Sequence, residues 1–561
     1  MRIPRFIVAL AIVAAAVSAA CTGAAEPPAT HTPDAGEPTP TATAVPGTAT
    51  PVPTATPTPP PPEGLTRGGF LRIAVPETAP HMDVHQTVSP ALIQWGPGLA
   101  YSRLFRYQSG PGVPSPNTVV ECDLCESWEQ IDSLTFRVTI RDDARWQSLE
   151  PVAGRAVTAH DVVFSYERQA TPGWPNAPLL SNLESVTALD DRTVEMKLEA
   201  PDAEFLERLA DGHSKIVAPE AVEQSGDLLR GPTVGSGPWV MDESLSGGHS
   251  FSAFSGYYEE ELPYMFGLDV VVIPDATTRV TGLRNRLLDV DQSSYEEVLS
   301  ATERFQQLEW TRVREPGSGV EVALNTDRAP LDSLDVRQAI LGAWDPWQMI
   351  EDNWDGEAFV SVGLPAPAPD WLLPDDAMHS FFGDRAGASD VLEQVPAEDL
   401  TVKVGEFGPQ YIRQAEAMAE ALSSAGMPVM LERITTRSFS DDVWIGGDYD
   451  IFVGAPPPVA SLTSHLFAVY HSDGPWNTTG FSTPELDALI DAQAVEPDRE
   501  ARRRMALDIQ RAIMEGAHRF NVATRVSHWM WWPHVHDFNP NLARGENHFL
   551  TKVWMTDRPQ R

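Results

Sequence analysis

The first 64 residues set the limits of the folded part of this chain, because a short apolar run is followed by a long segment with too few apolar residues to form a core. Arg2 and Arg5 precede a short apolar run over residues 6–17, a pattern typical of a secretory signal peptide. A membrane-spanning helix needs roughly 20 apolar residues, so this run is too short to remain as a span. Residues 22–64 are mostly Pro, Thr and Ala without Lys or Arg, and such a segment does not fold. We therefore predict that folded structure begins near residue 65.

The residues around Cys21 suggest how the N-terminus is held. Small residues before Cys21 resemble a bacterial lipobox, although Ser18 replaces the usual aliphatic residue. In a lipobox the cysteine is lipidated and becomes the new N-terminus; the alternative is an ordinary signal peptide with a chance cysteine. The proline-rich residues 22–64 would reach on the order of 130 Å if extended. We expect them to tether the folded part to a membrane through lipidated Cys21.

The charge of the chain excludes some classes of partner. It has 40 basic and 79 acidic residues, for a net charge of −39. This balance argues against nucleic acid and against broad docking on anionic lipid. The roughly 500 residues after the tether exceed one hydrophobic core, so we expect two or three domains.

Two cysteines remain if Cys21 carries lipid. Cys122 and Cys125 are three residues apart, and in an oxidising compartment we expect a local disulfide between them. A redox or metal-binding role is the alternative, but there is no second CxxC to support it.

Hydrophobic periodicity predicts an α/β fold with an antiparallel part. Residues 134–141 alternate between apolar and polar, as in a half-buried strand, and Val194, Met196 and Leu198 repeat the pattern. Between them, Thr158 and Asp161 form the capping pattern of a helix start. Two β-α-β units are predicted later in the chain, where crossovers are almost always right-handed and parallel. They cover residues 268–291 and 400–434.

Several motifs, taken in order, give the chain a resemblance to the bacterial family 5 extracellular solute-binding proteins of the dipeptide, oligopeptide and nickel type. The most specific is AVTAHDVVFS at residues 156–165. The others are GGFLRIA, ESWE, LTFRVTIR, VGSGPW, LNTDRAP and VRQA, at residues 68–74, 126–129, 134–141, 234–239, 324–330 and 336–339.

The resemblance implies a two-lobed clamp of the periplasmic-binding-protein type, type II, with an extra inserted antiparallel α/β subdomain. We expect Gly235 and Gly237 to permit tight turns where the chain passes between lobes. The implied division is residues 1–21 signal peptide, 22–64 tether, 65–112 with 233–317 and 524–561 first lobe, 113–232 inserted subdomain, and 318–523 second lobe.

The resemblance also implies a function. The protein would be a monomeric, extracytoplasmic component of an ABC importer, and it would close on a peptide or similar small solute and deliver it to the permease and ATPase complex. Ligand binding would shift the balance between open and closed forms. No bond is broken, so neither a catalytic residue nor a cofactor is implied.

Residues for ligand contact follow from the positions that line the cleft in the family. Two tryptophans among them offer an apolar face and an N–H donor. The predicted contacts are Trp95, Asn325, Gly454, Ala455, Pro456, Pro457, Trp476 and Asn477.

The loop after residues 447–451, which match the family's GDYD segment, departs from the family pattern. Peptide-binding members carry Gly-Trp and then an acid that neutralises the peptide's α-ammonium group, whereas here Ala455 replaces the tryptophan and the acid is missing. A buried ammonium without a partner costs several kcal/mol. The usual ion pair to a free peptide N-terminus is therefore not expected from this loop.

Two other functions compete with solute capture. A nickel or metal-chelate binder of the same fold would use His534 and His536, or His81 and His85, but neither pair has a clear third ligand. A secreted glycoside- or peptide-acting hydrolase would need an activated nucleophile or a carboxylate pair. The sequence has no GxSxG, HExxH or P-loop motif. The number of carboxylates alone does not decide against a glycosidase.

Overall fold

The computed structural model describes residues 62–245, 247–395, 400–457, 461–541 and 543–557. The predicted signal peptide, Cys21 and nearly all of the predicted tether lie outside these residues. Among the described residues, no helix is long and apolar enough to cross a membrane.

The N-terminal part contains a four-stranded antiparallel sheet in the order β4-β5-β7-β6. Its helix α2 begins after Thr158 as predicted, with Asp161 accepting a hydrogen bond from the Thr158 N–H at 2.8 Å. Cys122 and Cys125 form a disulfide at the turn between β3 and β4, with their Cα atoms 4.9 Å apart. The elements are β1 (Phe70–Val75), α1 (Pro90–Ile93), β2 (Phe105–Tyr107), β3 (Val120–Cys122), β4 (Cys125–Gln130), β5 (Thr135–Ile140), α2 (Ala159–Gln169), β6 (Leu183–Ala188), β7 (Thr193–Leu198), α3 (Phe205–Ala210) and α4 (Pro219–Ser225).

Residues 239–314 and the earlier strand β1 form one half of a large sheet, in the order β8-β9-β10-β1-β11. The first predicted β-α-β unit is confirmed as β10-α5-β11, although α5 ends at Arg284 rather than at 288. Its two strands are not neighbours, because β1 lies between them and is parallel to both. The elements are β8 (Trp239–Leu245), β9 (Gly248–Ala253), β10 (Gly267–Val272), α5 (Ala276–Arg284), β11 (Val290–Ser293), α6 (Tyr295–Arg304) and β12 (Glu309–Arg314).

The other half of the sheet follows, in the order β16-β15-β17-β13. The second predicted β-α-β unit is confirmed as β15-α11-β16, with its two strands paired in parallel. The elements are β13 (Val320–Leu324), α7 (Leu334–Gly342), α8 (Pro346–Trp354), β14 (Ala358–Ser361), α9 (Asp375–His379), α10 (Arg385–Leu392), β15 (Thr401–Gly405), α11 (Pro409–Ser424), β16 (Met430–Ile434), α12 (Thr436–Ser438), β17 (Ile451–Gly454), α13 (Leu462–Tyr470), α14 (Pro484–Val495) and α15 (Arg499–Gly516).

One long strand, β18 (Arg519–Trp531), joins the two halves. Its first part pairs with β13 and β14, and its second part pairs with β11 and β12. Alternate side chains at its end pack on opposite faces, Trp529 and Trp531 on one and Met530 on the other. The chain ends with the short pair β19 (Val535–His536) and β20 (Trp554–Met555).

These elements form three regions. The first lobe is built on β1 and β8–β12, and the second lobe on β13–β17. The name inserted region is used for residues 113–232, which contain β3–β7 and α2–α4. The second lobe and the inserted region each have a hydrophobic core, and the first lobe packs side chains on both faces of its sheet. Gly235 is required by a close approach rather than by a tight turn, since a Cβ there would lie 1.8 Å from the Ala100 carbonyl oxygen.

Candidate functional site

A cavity of about 480 Å³ lies where the two lobes and the inserted region meet. Small-molecule sites commonly measure roughly 300–1,000 Å³. Residues after β1, around α1, and at the ends of β11 and β12 form one side, and the loop after β14 contributes Pro365 and Ala366 from the second lobe. The Thr118 N–H donates to the Pro367 carbonyl at 3.0 Å, which joins the inserted region to the same loop. The cavity is therefore walled by separate structural regions, as a cleft is.

The cavity lining contains five charged side chains. Glu315 pairs with Arg525 at 2.6 Å, so these two charges compensate each other. Arg544 is paired outside the lining, with Glu207 at 3.2 Å. The remaining two, Glu77 and Arg314, are both solvent-exposed.

Trp95 lines this cavity, at the position where the sequence placed a ligand contact. Its side chain is only 7% exposed, and its ring centroid lies 5.9 Å from that of Trp529. Most of the ring therefore belongs to the first-lobe core, and its remaining surface faces the cavity. Ligand contact by Trp95 stays a prediction.

Asn325 braces the backbone and is not among the residues that line the cavity, and its ligand contact stays a prediction. Its amide nitrogen donates to the carbonyls of Gly447 and Tyr449, both at 3.1 Å. Its amide oxygen accepts from the Asp327 N–H at 3.1 Å. Because these bonds use both ends of the amide, Asn325 fixes the turn before β17 to the end of β13.

The predicted contacts at Trp476 and Asn477 are also outside the cavity lining. The Asn477 amide donates to the carbonyls of Phe481 at 2.9 Å and His471 at 3.1 Å. Trp476 packs against the second-lobe core, and its carbonyl accepts from Arg519 at 3.3 Å. These residues brace the loop between α13 and α14.

Gly454 is the last residue of β17, and residues 455–457, the described part of the loop that follows it, are not among the residues that line the cavity. A Cβ on Gly454 would lie 2.1 Å from the Phe439 ring, so glycine is required for packing. Ala455 and Pro456 are half-buried and Pro457 is buried. Their predicted ligand contacts remain predictions.

A buried ion cluster, defined by Glu204, Glu207, Arg502 and Arg544, joins the inserted region to the second lobe and the C-terminal segment. Arg502 lies 2.5 Å from Glu204 and 3.4 Å from Glu207. Burial opposes ionisation of Glu204, but the charges of Arg502 and Arg544 hold its pKa at about 2. Glu204 also accepts from the Thr463 N–H at 3.1 Å, at the start of α13. The cluster is thus a second contact between regions, separate from β18.

The histidine pairs considered for metal binding are engaged in other contacts. His534 lies 3.0 Å from Asp289, and His536 stacks on Trp554 with ring centroids 4.0 Å apart. His85 contacts the Lys215 carbonyl at 2.8 Å, and burial lowers its pKa to about 4. Within the described ranges, no group of three or more His, Cys, Asp or Glu residues is arranged to hold a metal ion.

The cavity lining also contains residues that the sequence did not indicate as ligand contacts, among them Glu77, Thr118, Arg314, Glu315 and Arg525. A signal for Glu77 was present, since it lies two residues beyond the C-terminal end of β1. Ligands of open α/β sheets bind outside the carboxyl ends of parallel strands. The others depend on pairing between distant segments, which leaves no local pattern.

Comparison with known proteins places the chain among binding proteins. A family model for bacterial extracellular solute-binding proteins, family 5 (middle), matches residues 119–477. Heme-binding protein A of Haemophilus influenzae is 28% identical over 316 residues, a match that spans 51% of this chain and only 56% of that protein. Probable di/tripeptide-binding protein 5 of Pseudomonas aeruginosa is 25% identical, with 79% and 86% covered. The solved structure of HbpA2 from Haemophilus parasuis superposes with a TM-score of 0.73 at 20% identity, covering 87% of this chain and 99% of that one.

Proposed function

Because the chain belongs to the bacterial extracellular solute-binding proteins of family 5, we propose that it captures a small solute and delivers it to an ABC importer. The solute is a peptide or a compound of similar size, and it is held in the cavity between the lobes. The observation that carries the proposal is the cavity of about 480 Å³, with walls from both lobes and the inserted region.

The joining strand supports closure around a ligand. β18 continues from the second lobe into the first, and a short segment joins β12 of the first lobe to β13 of the second. The lobes are therefore connected at one edge of the cavity. A ligand that contacts both lobes stabilises the arrangement in which they are close. The permease and ATPase complex would then recognise the liganded form of a monomeric binding protein.

The site of action follows from the N-terminal sequence. Lipidated Cys21 would hold the protein at the outer face of a membrane, and residues 22–64 would provide the reach to the permease. Mass spectrometry of the mature N-terminus, after expression in a bacterium that lipidates proteins, tests this part. A mature chain without a lipid on Cys21 would contradict the anchoring and leave the capture of a solute untouched.

Thermal stabilisation tests the capture of a solute. The panel contains tri- and tetrapeptide mixtures, hemin, oligosaccharides and a nickel–histidine complex. A true ligand at a hundredfold excess over its Kd adds about 2.7 kcal/mol to the unfolding free energy. The hit is then recovered and identified by mass spectrometry. Recovery of the intact compound supports a binding protein, and turnover would support the hydrolase alternative. Stabilisation by the nickel complex alone would support the metal-chelate alternative.

A further inference from the structure

Two charged side chains of the cavity have no partner of opposite charge among the described residues. One is the carboxylate of Glu77, and the other is the guanidinium of Arg314, which lies over the Phe359 ring at 4.9 Å. The lining's other three charges are already paired, as Glu315 with Arg525 and as Arg544 with Glu207. The cavity thus presents one uncompensated negative charge and one uncompensated positive charge.

Both side chains are held at the cavity by their place in the fold. Glu77 follows β1, the central parallel strand of the first lobe, and Arg314 is the last residue of β12. The Phe359 ring limits the positions open to the Arg314 guanidinium. The buried Thr118 hydroxyl, also in the lining, makes no hydrogen bond within the described part of the chain.

We propose that Glu77 binds the cationic group of the solute and Arg314 binds its carboxylate, so the preferred ligand is a zwitterion such as a short peptide with free ends. This assignment rests on the proposed function of solute capture. It agrees with the loop after β17, where Ala455 replaces the family's tryptophan and the family's acid is missing. The negative partner of the ligand has moved from the second lobe to the first.

The test uses randomised tri- and tetrapeptide mixtures in four forms: free, N-acetylated, C-amidated and blocked at both ends. Stabilisation of the wild-type protein by each form is compared, and affinities of the best peptide are measured by calorimetry. A charged hydrogen bond contributes about 1.5–3 kcal/mol, so each block is expected to weaken binding by about 10- to 100-fold.

Two variants assign each charge to its partner. In Glu77→Gln, N-acetylation of the peptide should cause little further loss of affinity, while C-amidation should weaken binding as much as in the wild type. In Arg314→Gln, C-amidation should cause little further loss, and N-acetylation should keep its full effect. Glu223→Gln and Arg230→Gln are matched controls, because both side chains are exposed and lie outside the cavity lining. They make the same charge changes and should leave all four affinities at wild-type values.

The outcomes separate the assignment from the proposed function. The assignment is overturned if N-acetylation still weakens peptide binding to the Glu77→Gln variant, or if C-amidation still weakens peptide binding to the Arg314→Gln variant. Binding of doubly blocked peptides, hemin or oligosaccharides, with none of the free peptides bound, also overturns it, while capture of a solute stands. If no compound of any class stabilises the protein, the proposed function fails together with the assignment.

Discussion

Replacement of Arg502 by leucine tests whether the buried ion cluster is a separable contact between regions. Arg502 is 3% exposed, and it compensates Glu204, which is fully buried. Glu204 has a pKa of about 2 despite the opposing effect of burial, because Arg502 and Arg544 attract its charge. Without Arg502, a buried carboxylate keeps only part of its compensation.

The cost depends on whether Glu204 can return to water. Removing one partner of a buried ion pair typically costs about 3–5 kcal/mol. In Arg502→Leu this cost applies only while residues 201–207 are docked on the second lobe. If these residues move away from the second lobe, water reaches the Glu204 carboxylate and the cost is removed. A cost of about 3 kcal/mol changes the ratio of docked to separated forms by more than roughly 100-fold. We therefore expect a larger distance between the regions and a smaller loss of unfolding free energy than 3–5 kcal/mol.

A second buried ion pair provides the matched control. Arg519 donates to both carboxylate oxygens of Glu321, at 2.9 and 2.8 Å, and the two residues are 1% and 0% exposed. They lie on the paired strands β18 and β13, so no movement of whole regions can hydrate Glu321. Arg519→Leu should lower the unfolding free energy by the full ~3–5 kcal/mol. The double variant Glu321→Met with Arg519→Leu should recover most of it, because no buried charge remains.

Two measurements distinguish these variants. Urea unfolding followed by tryptophan fluorescence gives the unfolding free energy, and spin labels at the exposed positions 223 and 420 report the distance between inserted region and second lobe. In the wild type the contact should also weaken as the pH falls from about 4.5 towards 2, because protonation removes the charge of Glu204. If Arg502→Leu loses as much unfolding free energy as Arg519→Leu and the label distance stays the same, the cluster is not a separable contact.

Three further changes have directions fixed by the structure. Thr118→Val should leave the unfolding free energy unchanged or slightly higher by urea unfolding, since the hydroxyl has no hydrogen bond to lose, and a large loss would contradict this. Asn325→Ala removes bonds to the Gly447 and Tyr449 carbonyls and should cost about 2–3 kcal/mol of unfolding free energy in the same assay, and no loss would contradict the bracing role. Burial raises the pKa of Asp291 to about 6, so its ionised form destabilises the fold above pH 6. Asp291→Asn should therefore add up to about 3 kcal/mol at pH 8 and less towards pH 4, whereas an equal gain at both pH values would argue against a raised pKa.

The sequence was most informative where structure depends on neighbouring residues. The capping pair Thr158 and Asp161 marked the start of α2, and the strand-helix-strand order of residues 400–434 gave the parallel pair β15 and β16. These features need only local periodicity and end signals. The same signals could not show that β1 lies between β10 and β11, because β1 precedes β10 by nearly 200 residues.

The site was less predictable than the fold for the same reason. Family resemblance assigned ligand contact to Asn325 and Asn477. The structure shows that their amides complete turns of the backbone, and ligand contact by either stays a prediction. An asparagine in a polar loop has the same sequence signature in either role. The pairing of Glu315 with Arg525, which leaves Arg314 without a carboxylate, is decided by two strands about 210 residues apart.

The position of the two uncompensated charges determines the order in which a ligand would be recognised. Glu77 follows β1 and Arg314 ends β12, and both strands belong to the first lobe. Rotation of one lobe against the other therefore leaves the separation of these two side chains unchanged. If they hold the ends of a zwitterion as proposed, the ligand is oriented on the first lobe before the second lobe covers it.

The second lobe contributes Pro365 and Ala366 to the cavity. Closure would then be stabilised by burial of apolar surface, at about 25 cal/mol per Å². Added salt should consequently weaken the first encounter more than it weakens closure.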